Sequence, residues 1–317
     1  RNGIPDTIEE LLLVRDVTPQ LLFGLDTNRN GVLDAGEPAS DSLEGVDNSD
    51  GSMNCGWAAF LTLYSAESNL QSDGTAKINL NQDDLQKLHD ALAQALDGPT
   101  ADLVCAYRQR GASANIIPAT PPTDLTKPGS TKLQTVLDLV GLQMGQPAGP
   151  QGKPSPPMPP LLAADTAAMG TYLPKFQDKT TTSSNPSIPG RINVNQAPQA
   201  VLRCIPGLTE DLVQQIIARR TPDPATADPG RTYGTWLLTE GIVTFDAMKK
   251  LMPLVTGGGS VYRAQVAGFY EAGQPVVRLE AIIDATKRPA RVVSWKDLTR
   301  LGGGYSLDVL LGGTAAR

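Results

Sequence analysis

Ile192-Asn193-Val194-Asn195-Gln196-Ala197-Pro198, continuing from Gln199 to Arg220 as QAVLRCIPGLTEDLVQQIIARR, carries the pattern that the helical part of the chain repeats. Two asparagines flank Val194 in a short extended segment. An apolar-periodic run from Ala197 to Leu202 follows, and Ile205-Pro206-Gly207-Leu208 breaks it, because proline lacks the N–H a helix needs and glycine admits left-handed backbone. Thr209 is then a natural N-cap, with Glu210 and Asp211 in the first turn. Leu212, Val213, Ile216 and Ile217 share one face of a second helix. Arg219 and Arg220 close it at the end where the macrodipole favours cations. The pattern predicts a helix–hairpin–helix.

The same order of residues occurs upstream. Ile78-Asn79-Leu80-Asn81-Gln82 matches Ile192-Asn193-Val194-Asn195-Gln196, a helical run of Leu85, Leu88, Leu92 and Leu96 follows, and Ala106-Tyr107-Arg108 matches Ala218-Arg219-Arg220. Ile8 to Val14 resembles Leu133 to Val140 and, more loosely, Trp236 to Ile242. Thr18-Pro19 and Thr244 then read as N-caps of short helices, with Pro19 at the tolerated first position. An internal repeat of this length implies two helical modules, with the tail of an earlier one at the start. Ile192 and Val194 are expected to point inward while Asn193 and Asn195 tie the segment to neighbouring backbone, since an amide side chain both donates and accepts; Ile78 to Asn81 should do the same.

The chain has 317 residues, 40% of them hydrophobic, enough for two or three domains with real cores. Its net charge of −6 and pI near 4.9 argue against a general nucleic-acid binder. No segment approaches the roughly 18 continuous apolar residues of a membrane span. Cys55, Cys105 and Cys204 form no CxxC pair, so a zinc site is not indicated and at most one disulfide can form. His89 lies on a leucine-rich helix without catalytic partners. The chain opens on Arg1 in what reads as the middle of a loop, so a preceding part is expected.

Four regions are expected. Residues 1–144 form a first helical module interrupted by a Gly/Asp/Asn-rich insertion at about 24–56. Within it Asp6 to Phe23 reads as helix, Phe60 to Tyr64 and Lys77 to Asn81 as strand, Asp83 to Arg110 as helix broken at Gly98-Pro99, Ala112 to Gly129 as loop, and Thr131 to Leu142 as helix. Residues 145–190 form a Pro-rich linker, irregular from Gly145 to Pro160, with a helix within Leu161 to Phe176 and a polar loop at Thr180 to Pro189. Residues 191–256 carry the second module. In residues 257–317, beyond Gly257-Gly258-Gly259, the period changes to two: Val261 to Gly268, Val276 to Ile283 and Arg291 to Trp295 read as a three-stranded antiparallel meander turning at Glu271 to Gln274. Such a sheet has one apolar face that needs cover.

The insertion contains Asp26-Thr27-Asn28-Arg29-Asn30-Gly31-Val32-Leu33-Asp34-Ala35-Gly36-Glu37. An EF-type loop places oxygen ligands at its first, third, fifth, seventh, ninth and twelfth positions, with glycine at the sixth for the sharp turn. Asp26, Asn28, Asn30, the Val32 carbonyl, Asp34 and Glu37 meet that pattern, with Gly31 at the turn, so Ca2+ is expected here. Pro38 follows at once, which argues for a structural staple without the usual exiting helix. A weaker cluster, Asp47-Asn48-Ser49-Asp50-Gly51 with Asn54, is a candidate for a second calcium.

Taken in order, several of these pieces resemble the K-type minor pseudopilin of bacterial type II secretion systems. They are IEELLLV before a Thr-Pro turn, the acidic insertion, LTLYS before INLN, INVNQAP with IPGLT, and the closing YRAQVAGFYEAGQPVVRLEAII. The resemblance covers most of the chain. It implies an α+β fold: a pilin-like antiparallel β-sheet with a large inserted α-helical domain built from helix–hairpin–helix (SAM-like) repeats, and a membrane helix preceding Arg1. It also implies a periplasmic structural subunit, anchored in the inner membrane, that assists pseudopilus assembly and protein export. Its partners would be the I-type and J-type minor pseudopilins and other pseudopilus subunits, with secreted substrates as further contacts and no nucleic acid.

Two other classes compete. INVNQAP…IPGL…ARR is similar to competence-type DNA receptors, whose hairpins aim backbone N–H groups at phosphate. Here Thr209 stands where a second glycine is usual, and Glu210 and Asp211 put negative charge where phosphate would sit. For an enzyme the chain offers no GxSxG elbow, no HExxH and no Cys/His pair, and Gly302-Gly303-Gly304 lacks the strand–helix setting of a phosphate loop.

Overall fold

The computed structural model describes Gly3 and residues 5–34, 36–37, 53–149, 153, 155–221, 228–270 and 277–311. They form a mixture of helices and strands in small sheets, compatible with an α+β class. The chain divides into two compact units. One combines Arg1–Ser65 with Ser260–Arg317, and the other is the continuous stretch Ala66–Gly259.

The Ala66–Gly259 unit contains both repeats, and each is closed by the same parallel strand pairing. Ile78–Asn79 pairs with Thr180–Thr181, and Ile192–Asn193 pairs with Val255–Thr256. Leu80 and Val194 are fully buried at equivalent positions. Asn81 and Asn195 each donate their amide N–H groups to two carbonyls from distant loops: Leu133 and Thr182 in the first repeat, Arg231 and Gly257 in the second. Asn79 and Asn193 accept the backbone N–H two residues on. The expected inward turn is observed for Leu80 and Val194, and the tying by asparagine in both repeats, whereas Ile78 and Ile192 are only partly buried.

The terminal arginines of the two repeats also correspond. Arg108 is wholly buried and donates to the carbonyls of Leu80, Gln82 and Thr131 at 2.5–2.7 Å. Arg220 donates to the carbonyls of Val194 and Ala197 at 2.9 and 2.5 Å. In both repeats a guanidinium at the end of the second helix occupies the turn after the asparagine strand.

The helices follow the sequence closely. Leu85–Ala95 and Gly98–Arg110 part at Leu96-Asp97, just ahead of the expected Gly98-Pro99, which instead form the first turn of the second helix, with Asp97 capping the Thr100 N–H. Gln199–Arg203 and Glu210–Arg219 flank the hairpin, where Gly207 takes φ +90° and Thr209 caps Leu212. Thr131 to Leu142 is not a full helix. A single 3-10 turn, Val136–Leu139, is held by a capping box between Thr135 and Asp138, and left-handed Gly141 ends it.

The expected domain edges at 144 and 190 do not coincide with the compact units, and residues 145–190 are not a linker throughout. The helix Thr166–Lys179 buries Met169 and Leu173 in the core of the second repeat and Phe176 in that of the first, while Tyr172 packs on both. Its apolar stripe serves two cores, which makes one unit of the stretch. The polar loop expected at Thr180 to Pro189 contains two strands, Thr180–Thr181 and Ser187–Pro189. The described residues between Gly145 and Pro160 form neither helix nor strand.

In the other unit, Asp6 to Phe23 is not one helix. Ile8–Leu13 is a 3-10 turn capped by Thr7 and Glu10, the chain reverses at left-handed Asp16, and Thr18 caps a separate helix, Pro19–Phe23. Phe60 to Tyr64 is not a strand, because the Phe60 and Leu61 N–H groups bond back to Trp57 and extend the 3-10 turn Gly56–Ala59. The insertion at 24–56 is pinched at its base. The Leu25 N–H donates to Asn54, and a Cβ on left-handed Gly24 would lie 1.9 Å from the Asn54 oxygen.

The meander is as expected, with Val277–Asp284 central between Val261–Gly268 and Arg291–Asp297, all antiparallel. A register shift falls between Ile282 and Ile283. Tyr262, Val266 and Trp295 are well exposed on it. The turn expected at Glu271 to Gln274 lies outside the described residues.

Candidate metal centre

Asp26 begins the candidate loop just after the Pro19–Phe23 helix and the Gly24 pinch, and it is the most buried of the loop carboxylates. One of its oxygens accepts the Asn30 N–H at 3.1 Å, and the other accepts the Gly31 N–H at 2.9 Å. These bonds wrap the loop around the carboxylate, and the tight return needs the left-handed backbone of Gly31, φ +75°. The asparagine oxygens repeat the wrap one step on. Asn28 Oδ1 accepts the Asn30 N–H at 3.0 Å, and Asn30 Oδ1 accepts the Val32 N–H at 2.7 Å. Val32 is placed by that bond.

Asp34 is the meeting point of the side chains. Its Oδ2 accepts the amide groups of Asn28 at 2.6 Å and Asn30 at 2.8 Å. Glu37 closes the loop, with Oε1 accepting the Thr27 N–H at 2.9 Å and the Thr27 hydroxyl at 3.1 Å, and Oε2 accepting the Asp34 N–H at 3.1 Å. The structure thus brings Asn28, Asn30 and Asp34 together directly, and joins Asp26 and Glu37 to them through backbone N–H groups.

No family model, no curated protein and no solved structure matches this chain. The reading of the site accordingly rests on its own chemistry.

The donors are all oxygen, which suits a hard cation such as calcium. The loop carries three carboxylates; of the cations around it, Arg29 and Lys296 pair with Glu9 and Arg263 with Glu280, while the buried Arg278 donates to the Asn28 carbonyl of the loop itself. Among the described residues no three His, Cys, Asp or Glu side chains form a ready cluster. The donor set is mixed, with amides and a main-chain carbonyl between the acids, and in this closed form the Asp34 charge is met by amide hydrogens. The all-oxygen composition of the loop suits a calcium ion, for which Asp26, Asn28, Asn30, the Val32 carbonyl, Asp34 and Glu37 would be the ligands.

The surroundings contain groups that the sequence did not point to. Cys55 Sγ lies 3.7 Å from Asp26 Oδ2. Burial and then the Asp26 charge push its thiol up to about 11. All three cysteines are free. Asp26 and Gly31 also border a cavity of about 200 Å3 shared with Phe23 and Cys55. Three residues of the C-terminal part, Gln265, Arg278 and Tyr305, reach the loop backbone. No local motif marks these residues, because their role depends on pairings of more than 200 positions in sequence.

The second candidate cluster, Asp47 to Gly51, lies outside the described residues. Its neighbour Asn54 accepts the Gly56 N–H through its side-chain oxygen at 2.9 Å. At the hairpin, Glu210 binds Arg203 at 2.7 and 2.8 Å and also accepts from Gln199 and Gln214. Hydrogen bonding to Arg203 first, and then to Gln214, pulls the Glu210 carboxyl down to about 2. The second helix therefore starts with a fixed negative charge, while Arg108 and Arg220 face inward.

Proposed function

We propose that this chain is a structural assembly protein: a calcium-binding K-type minor pseudopilin at the tip of a type II secretion pseudopilus. It would work in the periplasm, against the inner membrane, with I-type and J-type minor pseudopilins. The observation that carries the reading is the Asp26–Glu37 loop, in which all six positions expected to hold calcium carry oxygen donors around an Asp26-centred wrap. The Ala66–Gly259 unit, inserted in sequence between the two parts of the sheet-bearing unit, supports it, since the resemblance implies this order. Among the described residues no helix is long and apolar enough to cross a membrane; the membrane anchor belongs to the proposal only through the resemblance.

When bound, calcium supplies two positive charges to a loop holding three carboxylates. The chain itself does the rest. Asp26 and Gly31 set the turn, Glu37 ties the last position to the second and the ninth, and the Gly24–Asn54 pinch confines the insertion. A pinched loop gains order when an ion binds, so the metal would act as a staple that stabilises the native state by mass action.

The test has two arms on the full chain. Calorimetric titration of chelator-stripped protein should give binding below millimolar calcium, with a rise in melting temperature. Co-purification should recover I-type and J-type partners at micromolar concentration. Absence of heat and thermal shift at millimolar calcium would remove the metal site, and failure of both partners to bind would remove the pseudopilin assignment.

A further inference from the structure

The Asp26–Glu37 loop is gripped from behind by residues far away in sequence. Three successive carbonyls of the loop, those of Asn28, Arg29 and Asn30, are each contacted from the C-terminal part of the same unit. Arg278 Nη2 donates to the Asn28 carbonyl, Gln265 Nε2 donates to the Arg29 carbonyl at 2.8 Å, and the Tyr305 hydroxyl lies 3.4 Å from the Asn30 carbonyl. In the reverse direction the Asn30 amide donates to the Gly304 carbonyl.

These contacts form a connected set. Gln265 Oε1 accepts the Tyr305 hydroxyl at 3.0 Å, so the single hydroxyl hydrogen serves Gln265 first and Asn30 second. One glutamine amide thus joins the loop, the Val261–Gly268 strand and the segment after Gly302. Arg278 is fully buried on the central strand, and its Nε and Nη1 have no hydrogen-bond partner among the described residues. A buried guanidinium left this way is costly, and its remaining bond fixes the backbone at Asn28. Gly304 is required beside it, because a Cβ there would lie 1.5 Å from Arg278 Nη1.

We infer that Gln265, Arg278 and Tyr305 are positioning residues that hold the Asp26–Glu37 loop in its ion-binding shape, so that metal occupancy and the order of residues 302–306 are linked. The inference rests on the calcium reading of the loop and adds a second site to it. Linkage is reciprocal: whatever the clamp contributes to ion affinity, the ion returns to the clamp.

The test uses the full chain with Gln265→Met and Tyr305→Phe, which leave its charge unchanged and spare the buried arginine. Tyr305→Phe, which loses the bond to Gln265, should weaken calcium binding roughly two- to tenfold, and Gln265→Met, which also loses the bond to the Arg29 carbonyl, by at least as much. The two effects should not add, because both residues act through the same amide. In the unsubstituted chain, calcium should slow amide exchange in residues 26–37 and in 302–306 together; in either variant the second region should lose that response. Calcium binding with unchanged affinity in both variants, and protection confined to 26–37, would overturn the inference and leave the metal site standing. No calcium binding by the unsubstituted chain would overturn the metal reading and the linkage with it.

Discussion

Asn81 and Asn195 occupy the same place in the two repeats but make different numbers of bonds, so replacing each by alanine should separate them. Asn195 donates to the Arg231 carbonyl at 2.8 Å and the Gly257 carbonyl at 2.6 Å. Asn81 donates to the Leu133 and Thr182 carbonyls at 2.9 and 3.1 Å, and its oxygen also accepts the Leu133 N–H at 2.9 Å. At about 1 kcal/mol net for each bond, Asn195→Ala should cost about 2 kcal/mol and Asn81→Ala about 3 kcal/mol. For a folding unit in the 150–250-residue class, about 2–4 °C is lost per kcal/mol. The melting temperature should therefore fall by roughly 4–8 °C in the first variant and roughly 6–12 °C in the second. Calorimetry on the two single variants reads this directly. Shifts under about 1 °C, or a larger loss at Asn195 than at Asn81, would refute the reasoning that these asparagines close the repeats.

Four further outcomes follow from individual contacts. Arg108→Met should lower stability by about 3 kcal/mol or more, because three carbonyls lose their donor, and Arg220→Met by less, with two; urea midpoints that rank the other way would contradict the burial of Arg108. Asn28→Asp should destabilise the chelated protein, by removing an amide from Asp34 and adding a like charge, yet enlarge the thermal shift on adding calcium; an unchanged shift counts against Asn28 as a ligand. Burial pulls the Glu9 carboxyl up, but the Lys296 hydrogen bond and the charges of Lys296 and Arg29 outweigh it and hold the group below its usual 4.5. Its stabilisation is then full above that value and lost as the pH falls below it, so Lys296→Met should flatten the acid limb of a stability–pH curve. At pH 8, thiol alkylation followed by intact mass should reach exposed Cys204 first, since burial chiefly pushes the Cys55 and Cys105 thiols up to about 11 and 12.

Much of the helical unit was legible because its signals are local. Thr209, Thr244 and Thr18 cap the helices they were expected to cap, since a capping oxygen needs only the next turn. The break falls at Leu96-Asp97, just ahead of Gly98-Pro99, which open the second helix; it and the hairpin at Gly207 depend on the residues themselves. The repeated asparagines could be paired by inspection, and their side chains do hold the repeats. The meander was legible for a similar reason: alternation with period two survives whatever the strands pack against.

Local chemistry therefore specifies the elements whose hydrogen bonds close within a few residues, together with the spacing of oxygen donors from Asp26 to Glu37. Tertiary structure decided the rest. Only the fold shows that Thr166–Lys179 serves two cores, because its apolar stripe reads the same whether one core or two lie against it. Only the fold shortens Thr131 to Leu142 to a single 3-10 turn, since its ends are tied to distant groups, Thr131 to Arg108, Leu133 to the Asn81 side chain and Gly141 to the Leu162 carbonyl. Only the fold brings Gln265, Arg278 and Tyr305 to the loop, because a bond between residues more than 200 positions apart leaves no periodic trace in the chain.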